Sequence, residues 1–199
     1  SRWFGLKPGH DVDPVDAEAL AAVLDAAASR LQGHFERSNF AVEIHQCFLD
    51  LVTTGTATLL FEEAPVGSSS AFQFTAIPAA EIYIDGDAGG AINRHYRTTT
   101  VSLAQLRSRF GHCHQLAELR PPPADEGSVK LELIEVVASV GSRFKYQAIL
   151  PAQRDLVSTP LLLSEGLFEQ SPFLTFRWMK GTSELYGRSP VMTALPDIK

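Results

Sequence analysis

Apolar residues change period twice along this chain, and each change marks a change of structure. Between residues 20 and 35, Leu20, Val23, Leu24, Ala27, Leu31 and Phe35 recur at three- and four-residue spacing, the stripe of an α-helix buried on one side. Asp13 is placed to cap that helix, and Pro14 stands at its first position, where a missing N–H costs nothing. Asp16 and Glu18 lie near its positive end. Gly33 and the Ser38-Asn39 pair predict a break near 33–38. A second helix follows to Thr54, with Phe40, Ala41, Ile44, Cys47, Phe48, Leu51 and Val52 on its apolar side and Gly55 placed to end it.

The period then falls to two. Ala57–Phe61 reads as a short strand, and Phe72–Ile77 alternates with Phe72, Phe74 and Ala76 on one face. Ile82–Ile84 and Ile92–Val101 predict a hairpin around the loop from Asp85 to Gly90. Ser102 is placed to cap a short helix from Leu103 to Phe110, ended by Gly111. Pro121-Pro122-Pro123 and the residues to Gly127 predict a rigid polar loop. Val129–Val140 is a long strand with Leu131, Leu133, Glu135 and Val137 on one face, and Gly141-Ser142 turns it into Phe144–Leu150. Leu161–Ser164 and Phe173–Met179 are further strands. A helix restarts at Ser189-Pro190, with a break expected at Pro196. N-terminal helices, then antiparallel strands and hairpins, then a terminal helix predict an α+β fold in one domain, 1–199.

Composition narrows the function classes. The chain has 199 residues, 45% of them hydrophobic, and a net charge of −6. Residues 1–100 carry 13 acids and 6 bases, residues 101–199 carry 10 and 11. This is not the concentrated basic patch of a nucleic-acid clamp. Uninterrupted apolar runs reach only about five residues, far below the roughly 20 that span a bilayer. No basic segment followed by an apolar one suggests a secretory leader. Cys47 and Cys113 do not make a disulfide framework, and a reducing compartment is expected. The chain begins at Ser1 and ends at Lys199 inside a helical pattern, so it is expected to be a piece of a longer protein.

Several constellations could carry chemistry. Asp85 and Asp87, with Gly90 at position six, match the start of a calcium loop and suggest a small-ligand or metal site across Asp85–Gly90. Position five is Gly89, position twelve is Tyr96, and the flanks are strands, so a plain hairpin turn is the competing reading. His112-Cys113-His114 holds metal-capable groups, but adjacent residues diverge and no second cluster follows, which favours an exposed loop. Ser68, Ser69 and Ser70 lack a nucleophile elbow and read as a flexible loop. Glu62-Glu63 and Asp125-Glu126 read as solvated loop charges. Trp3, Phe4, Phe176 and Trp178 could stack bases or simply pack in a core. Arg177, Lys180 and Arg188 form the best local basic cluster, and it is sparse. No catalytic, cofactor or metal site emerges from these residues.

Four stretches resemble the head-to-tail connector, or portal, proteins of short-tailed bacteriophages. They are Ser1-Arg2-Trp3-Phe4-Gly5-Leu6, the Ser38-Asn39-Phe40 helix junction, the step from Asp50 through Gly55-Thr56-Ala57 to Leu60, and Glu184-Leu185-Tyr186-Gly187-Arg188-Ser189-Pro190 running into Ala194–Lys199. The last is the most specific. The resemblance implies a structural, non-enzymatic subunit without a cofactor, part of a dodecameric ring at one capsid vertex of the virion, assembled in the bacterial host cytoplasm and encoded by a phage or prophage. Implied partners are other copies of itself, capsid and scaffolding proteins, the packaging terminase, tail adaptor proteins, and double-stranded DNA packaged and ejected through the channel without sequence preference. The chain would be mostly the wing, without stem, clip and crown, and alone would be monomeric or weakly self-associating. Trp3, Phe4, Ser38, Asn39, Phe40, Gly55, Thr56, Tyr186, Gly187, Arg188, Ser189 and Pro190 would serve the fold rather than catalysis.

Overall fold

A computed structural model describes residues 3–119, 129–153, 156–182 and 184–197. Ser1 and Arg2, the proline-rich loop with Asp125-Glu126, and the last two residues lie outside the described residues. Helix α1 (Pro14–Arg37) starts where Asp13 and Pro14 predict, the Asp13 carbonyl accepting from the Ala17 amide at 2.8 Å. It runs through Gly33 and ends at Arg37, inside the expected 33–38 window, at the Ser38-Asn39 pair. Ser38 makes the corner, donating its hydroxyl to the Phe35 carbonyl (2.8 Å) and accepting from the Phe40 amide (3.2 Å). Helix α2 (Phe40–Thr54) ends at Gly55 in the left-handed conformation, φ +83°.

The helical stripes are narrower than the sequence predicts. Leu20 and Val23 of α1 are 39% and 63% exposed, and Ala28 is the one α1 residue buried outright among those described. In α2, Phe48 and Val52 are also exposed, while Cys47 is buried. The reason is the extent of the facing layer. The described hydrogen bonds and ring contacts of α1 gather at its last turns, around His34, Phe35 and Arg37, while Leu20 and Val23 nearer its start stay exposed.

Both sheets are antiparallel. In the first, β1 (Thr56–Glu63) lies between β2 (Phe72–Ile77) and β8 (Phe173–Arg177). The second runs β3 (Ile82–Gly86), β4 (Ile92–Ser102), β5 (Lys130–Val140), β6 (Arg143–Leu150), β7 (Leu161–Phe168), in that spatial order. Strand β7 extends past Ser164 because it stays paired with β6 as far as Phe168 opposite Phe144. Strand β8 stops at Arg177, and Met179 keeps only a single bridge to Arg188. Helix α3 (Leu103–Arg109) carries a full capping box between Ser102 and Gln105. The exposed segment expected at His112–His114 leads into a further short helix, α4 (His114–Glu118). Leu116, 1% exposed, inserts into the core and anchors it. Helix α5 (Pro190–Ala194) gives way to a 3₁₀ turn, Leu195–Asp197, at Pro196.

The core has three parts. Cys47 of α2 packs on Ala57, Leu59 and Phe74 of the first sheet. Leu60, Ile77 and Phe173 of the first sheet meet Ile82, Ile84 and Val137 of the second. Leu103, Leu106, Phe110 and Leu116 cover Leu131, Leu133 and Leu150 at the other end of the second sheet. One face of β5 therefore serves two covers, and Glu135, 3% exposed, sits on that face between Leu133 and Val137.

Strand β2 is an edge, and its outer backbone is closed by side chains from the helices. Asn39 accepts from the Phe74 amide (2.9 Å) and donates to the Phe74 carbonyl (2.7 Å), and Glu43 accepts from the Ala76 amide (2.7 Å). Ser70 and His34 close the strand's start: the Ser70 hydroxyl donates to the His34 carbonyl, and the Ala71 amide donates to His34 Nδ1. The serine loop is thus pinned to α1 and is not free. This is side-chain protection of a sheet edge. Asn39→Ala leaves one amide and one carbonyl unpaired, and a loss of about 2 kcal/mol is expected in denaturant unfolding. Asn39→Asp keeps the acceptor only and should cost at least as much, because its second oxygen then faces the Phe74 carbonyl. Stability equal to the parent in both variants would refute the assignment.

Candidate functional site

The motif residues gather in two places at opposite ends of α2, which spans about 22 Å. At the first end, aromatic rings meet. Trp3 stacks on Phe40 (centroids 6.3 Å, interplanar 2°), and Trp3 and Phe4 both approach Phe35 edge-on, at 5.7 and 6.1 Å. Phe35 and Phe40 continue onto Phe74. Edge and stacked pairs of this kind lock a corner. The Ser38-Asn39-Phe40 junction is that corner.

At the second end two glycines cross. The Gly55 carbonyl accepts from the Trp178 amide (2.9 Å). One residue on, the Thr56 hydroxyl accepts from the Gly187 amide (2.8 Å), a buried bond. The Met179 carbonyl accepts from the Arg188 amide (2.7 Å). A Cβ on Gly55 would lie 2.5 Å from Arg188 C and Ser189 N and 2.6 Å from the Gly187 oxygen. A Cβ on Gly187 would overlap the Gly55 carbonyl oxygen. The two backbones touch because neither residue has a side chain, and at Gly55 the positive φ adds a second reason.

The rest of the segment holds this crossing in place. The Tyr186 hydroxyl accepts from the Ile84 amide of β3 (3.0 Å). Arg177 donates to the Leu185 carbonyl (3.0 Å) and the Gly90 carbonyl (3.3 Å). Arg188 pairs with Glu184, which also accepts from the Gly181 amide; the Arg188 hydrogen bonds hold the Glu184 carboxyl below its ordinary range. Ser189 is fully buried, and its hydroxyl accepts from the Met192 amide (2.9 Å) as the cap of α5. Pro190 opens that helix. Among the described residues the arrangement offers no acid, base or nucleophile pair aimed at a common point. What it supplies is mechanical: α5 starts from a point tied to both sheets and to the end of α2.

The other candidates fall elsewhere. In the hairpin loop, Asp87 accepts from the Ala91 amide (2.9 Å) and Asp85 from the Gly86 amide (2.8 Å), so the carboxylates close the turn. The Gly90 carbonyl accepts from Arg177 and Lys180 Nζ. His112 and His114 point to solvent on either side of Cys113. Among the described residues no three metal-capable side chains converge. Phe176 packs in the α2 core while Trp178 is 53% exposed, so the four aromatics form no common platform. Burial, with Asp50 and Glu43 nearby, pushes the Cys47 thiol up to about 11, which removes it from thiolate chemistry.

Sequence reasoning missed one buried polar chain at the seam of the sheets. His95 of β4, 3% exposed, meets the Thr175 hydroxyl at 3.0 Å, and Thr175 meets Thr58 at 2.8 Å. The remaining ring nitrogen has no partner among the described residues, and Phe173 lies against the ring at 5.2 Å. The signal was a histidine in an alternating strand. Burial lowers its pKa to about 4, from an ordinary 6.5. Native His95 therefore stays neutral while the unfolded chain takes up a proton as pH falls. This group's contribution to stability is expected to be full above pH 6.5 and to fall by an amount on the order of 3 kcal/mol down to pH 4. Urea unfolding across that range should show the slope, and His95→Gln should flatten it; an unchanged slope in the variant would exclude His95 as its source.

A fold whose distinctive residues build a helix anchor agrees with the family that comparison finds. Among curated proteins, none matches this chain. The family model for the bacteriophage head to tail connecting protein matches residues 1–199, the whole length. The chain belongs to that family, and it is thereby a structural component of the virion at the head–tail junction, between capsid and tail.

Proposed function

We propose that the chain is the wing-like part of a portal subunit, its α5 leading into the ring's axial region. Copies assemble into a ring, dodecameric in the particle, that seats the packaging terminase, passes double-stranded DNA inward and outward, and later receives tail adaptor proteins. Scaffolding protein guides its incorporation with the capsid. The role is structural and needs no cofactor.

The observation that carries this reading is the Gly55–Gly187 crossing, made by two of the stretches that resemble the connector family. A ring subunit must hold its helices at a fixed angle to its outer domain, and a close-packed backbone crossing does so without adjustable side chains. The charge balance also fits. A net charge of −6 disfavours tight, salt-dependent grip on the phosphates of moving DNA.

Negative-stain electron microscopy of the full-length subunit tests the proposal. Rings with a central hole are expected. Uniform small particles at every concentration and salt level, with or without scaffolding protein, would refute the ring.

A further inference from the structure

Strand order divides the chain into two bodies. Strand β8 completes the first sheet beside β1, yet β3 to β7, with α3 and α4, stand between β2 and β8 in sequence. The second sheet is therefore an insertion in the first, joined to it by residues 78–81 and 169–172. Each body has apolar packing of its own. Cys47, Ala57 and Leu59 pack wholly inside the first, and Leu106, Leu116 and Leu133 wholly inside the second. The cluster of Leu60, Ile77 and Phe173 against Ile82, Ile84 and Val137 is shared, and it forms the seam.

We propose that the two sheets part as separate bodies at this seam, and that His95 is the latch that releases them in acid.

His95 lies between Ile84 and Val137 in the second sheet and meets Thr175 and Phe173 of β8 across the seam. The hydrogen bonds around it have a direction. If Thr58 donates to Thr175, and Thr175 to His95 Nε2, both hydroxyl hydrogens are placed. The Nδ1 hydrogen alone is then left without a partner among the described residues. The reverse direction leaves both the Thr58 hydrogen and the Nδ1 lone pair unpaired. Unpaired buried groups are costly, so the first direction holds.

Nε2 is then the basic nitrogen, and the Thr175 hydrogen occupies it. A proton from solvent must displace that hydrogen and turn both hydroxyls round. The closed seam would then hold a charged ring with two unpaired hydrogens, on Nδ1 and on Thr58. Among the described residues no charged group faces the ring to compensate, and burial alone governs its titration. Arg94 of the same strand pairs with Asp85, and Arg177, two residues past Thr175, donates to the Gly90 and Leu185 carbonyls. When the seam parts, water satisfies the ring nitrogens, so acid favours the open form.

Parting leaves α5 on the first sheet. The Thr56–Gly187 and Met179–Arg188 bonds lie within that body. What breaks is the bond between the Tyr186 hydroxyl and the Ile84 amide, with those from Arg177 and Lys180 to the Gly90 carbonyl. The latch thus sets whether the α5 anchor rests on one sheet or on two. It acts within one copy, independently of any ring.

Residue-level amide exchange between pH 7 and pH 5, corrected for intrinsic rates, tests this. The Ile84 amide reports on the seam because its acceptor, Tyr186, belongs to the other body. Its protection should fall roughly twentyfold, the change linked to one histidine of pKa 6.5 when open and about 4 when closed. The Gly187 amide and the β5–β6 ladder each lie inside one body and should hold constant. In His95→Gln and in His95→Leu the fall should vanish, and either variant alone decides. Nitrogen-15 shifts of the parent ring, which need no variant, should place its single proton on Nδ1 at pH 7. An Ile84 amide that stays constant, or that falls together with Gly187 and the β5–β6 ladder, would overturn the parting. A fall that persists without His95, or a ring proton on Nε2, would overturn the latch.

Discussion

Gly55→Val is expected to abolish the fold. The residue sits at φ +83°, where a β-branched side chain is a gross outlier, and its Cβ would lie 2.5 Å from the Ser189 nitrogen and the Arg188 carbon. Backbone cannot move aside as a flexible side chain can. The Thr56–Gly187 hydrogen bond, the bond from Trp178 to Gly55 and the fully buried cap at Ser189 would all be displaced together. A loss above about 4 kcal/mol is expected, in the class of exceptional single substitutions. For a chain of this size that lowers the melting temperature by roughly 10 °C or more, or leaves the protein insoluble. Gly141→Ala is the control. It has a positive φ of +62° but nothing within 4 Å of the new Cβ, so it should cost only about 1 kcal/mol. Equal, small effects at the two glycines would show that the crossing contributes nothing beyond the turn itself.

Glu135→Ala should be the next most damaging change. Its side chain is 4% exposed on an otherwise apolar face of β5. Arg109 of α3 reaches it at 2.5 Å, Arg97 of β4 at 3.8 Å, and the Tyr146 hydroxyl donates to it at 2.8 Å. Burial works against the Arg109 charge, but the carboxylate beside it prevails and raises the guanidinium pKa further. Burial, then the same carboxylate, pushes the Tyr146 phenol well above its ordinary value. Removing the acid leaves a buried hydroxyl and the Arg109 guanidinium without their partner, Arg109 being 45% exposed and able to rehydrate, while Arg97 keeps its pair with Glu81 at 3.4 Å. The expected loss is about 3 kcal/mol, the low end for breaking a buried pair. Tyr146→Phe should cost about 1 kcal/mol. Chemical denaturation of both variants decides it: a Glu135→Ala chain as stable as the parent would mean the pair is only a neutral substitute for apolar packing.

The position of Glu135 explains why this acid is tolerated. The inner face of β5 is covered by α3 and α4 at one end and by the first sheet at the other, and Glu135 lies where the two covers meet. Three elements each supply one partner there, so the group acts as a joint between the two halves of the core.

Much of this was legible in the sequence for local reasons. Asp13-Pro14, Gly55, Ser102 and Ser189-Pro190 mark element ends through capping and backbone conformation, which depend on a few adjacent residues. Alternation from Val129 gave a strand with the correct inward face, Glu135 included, though only the structure explains why an acid stands among leucines, and in β2 both faces are covered, Phe74 beside α2 and Ile77 against the second sheet. The exposed stripe on α1 and the short α4 were not legible. Whether an apolar stripe is covered depends on a distant layer, and α4 exists because Leu116 finds a pocket built by other elements.

The candidate site divides in the same way. Sequence by itself determined that Gly55 ends a helix, that Ser189 and Pro190 begin one, and, through the matching stretches, which family the chain belongs to. Only the tertiary structure decided that Gly55-Thr56 and Gly187-Arg188 are one feature, and that Tyr186 closes an edge of β3. Capping and turn formation are fixed by neighbours along the chain, within one turn of backbone. Contact between two glycines in different segments is fixed by how two sheets and a helix pack, and no local periodicity carries that information.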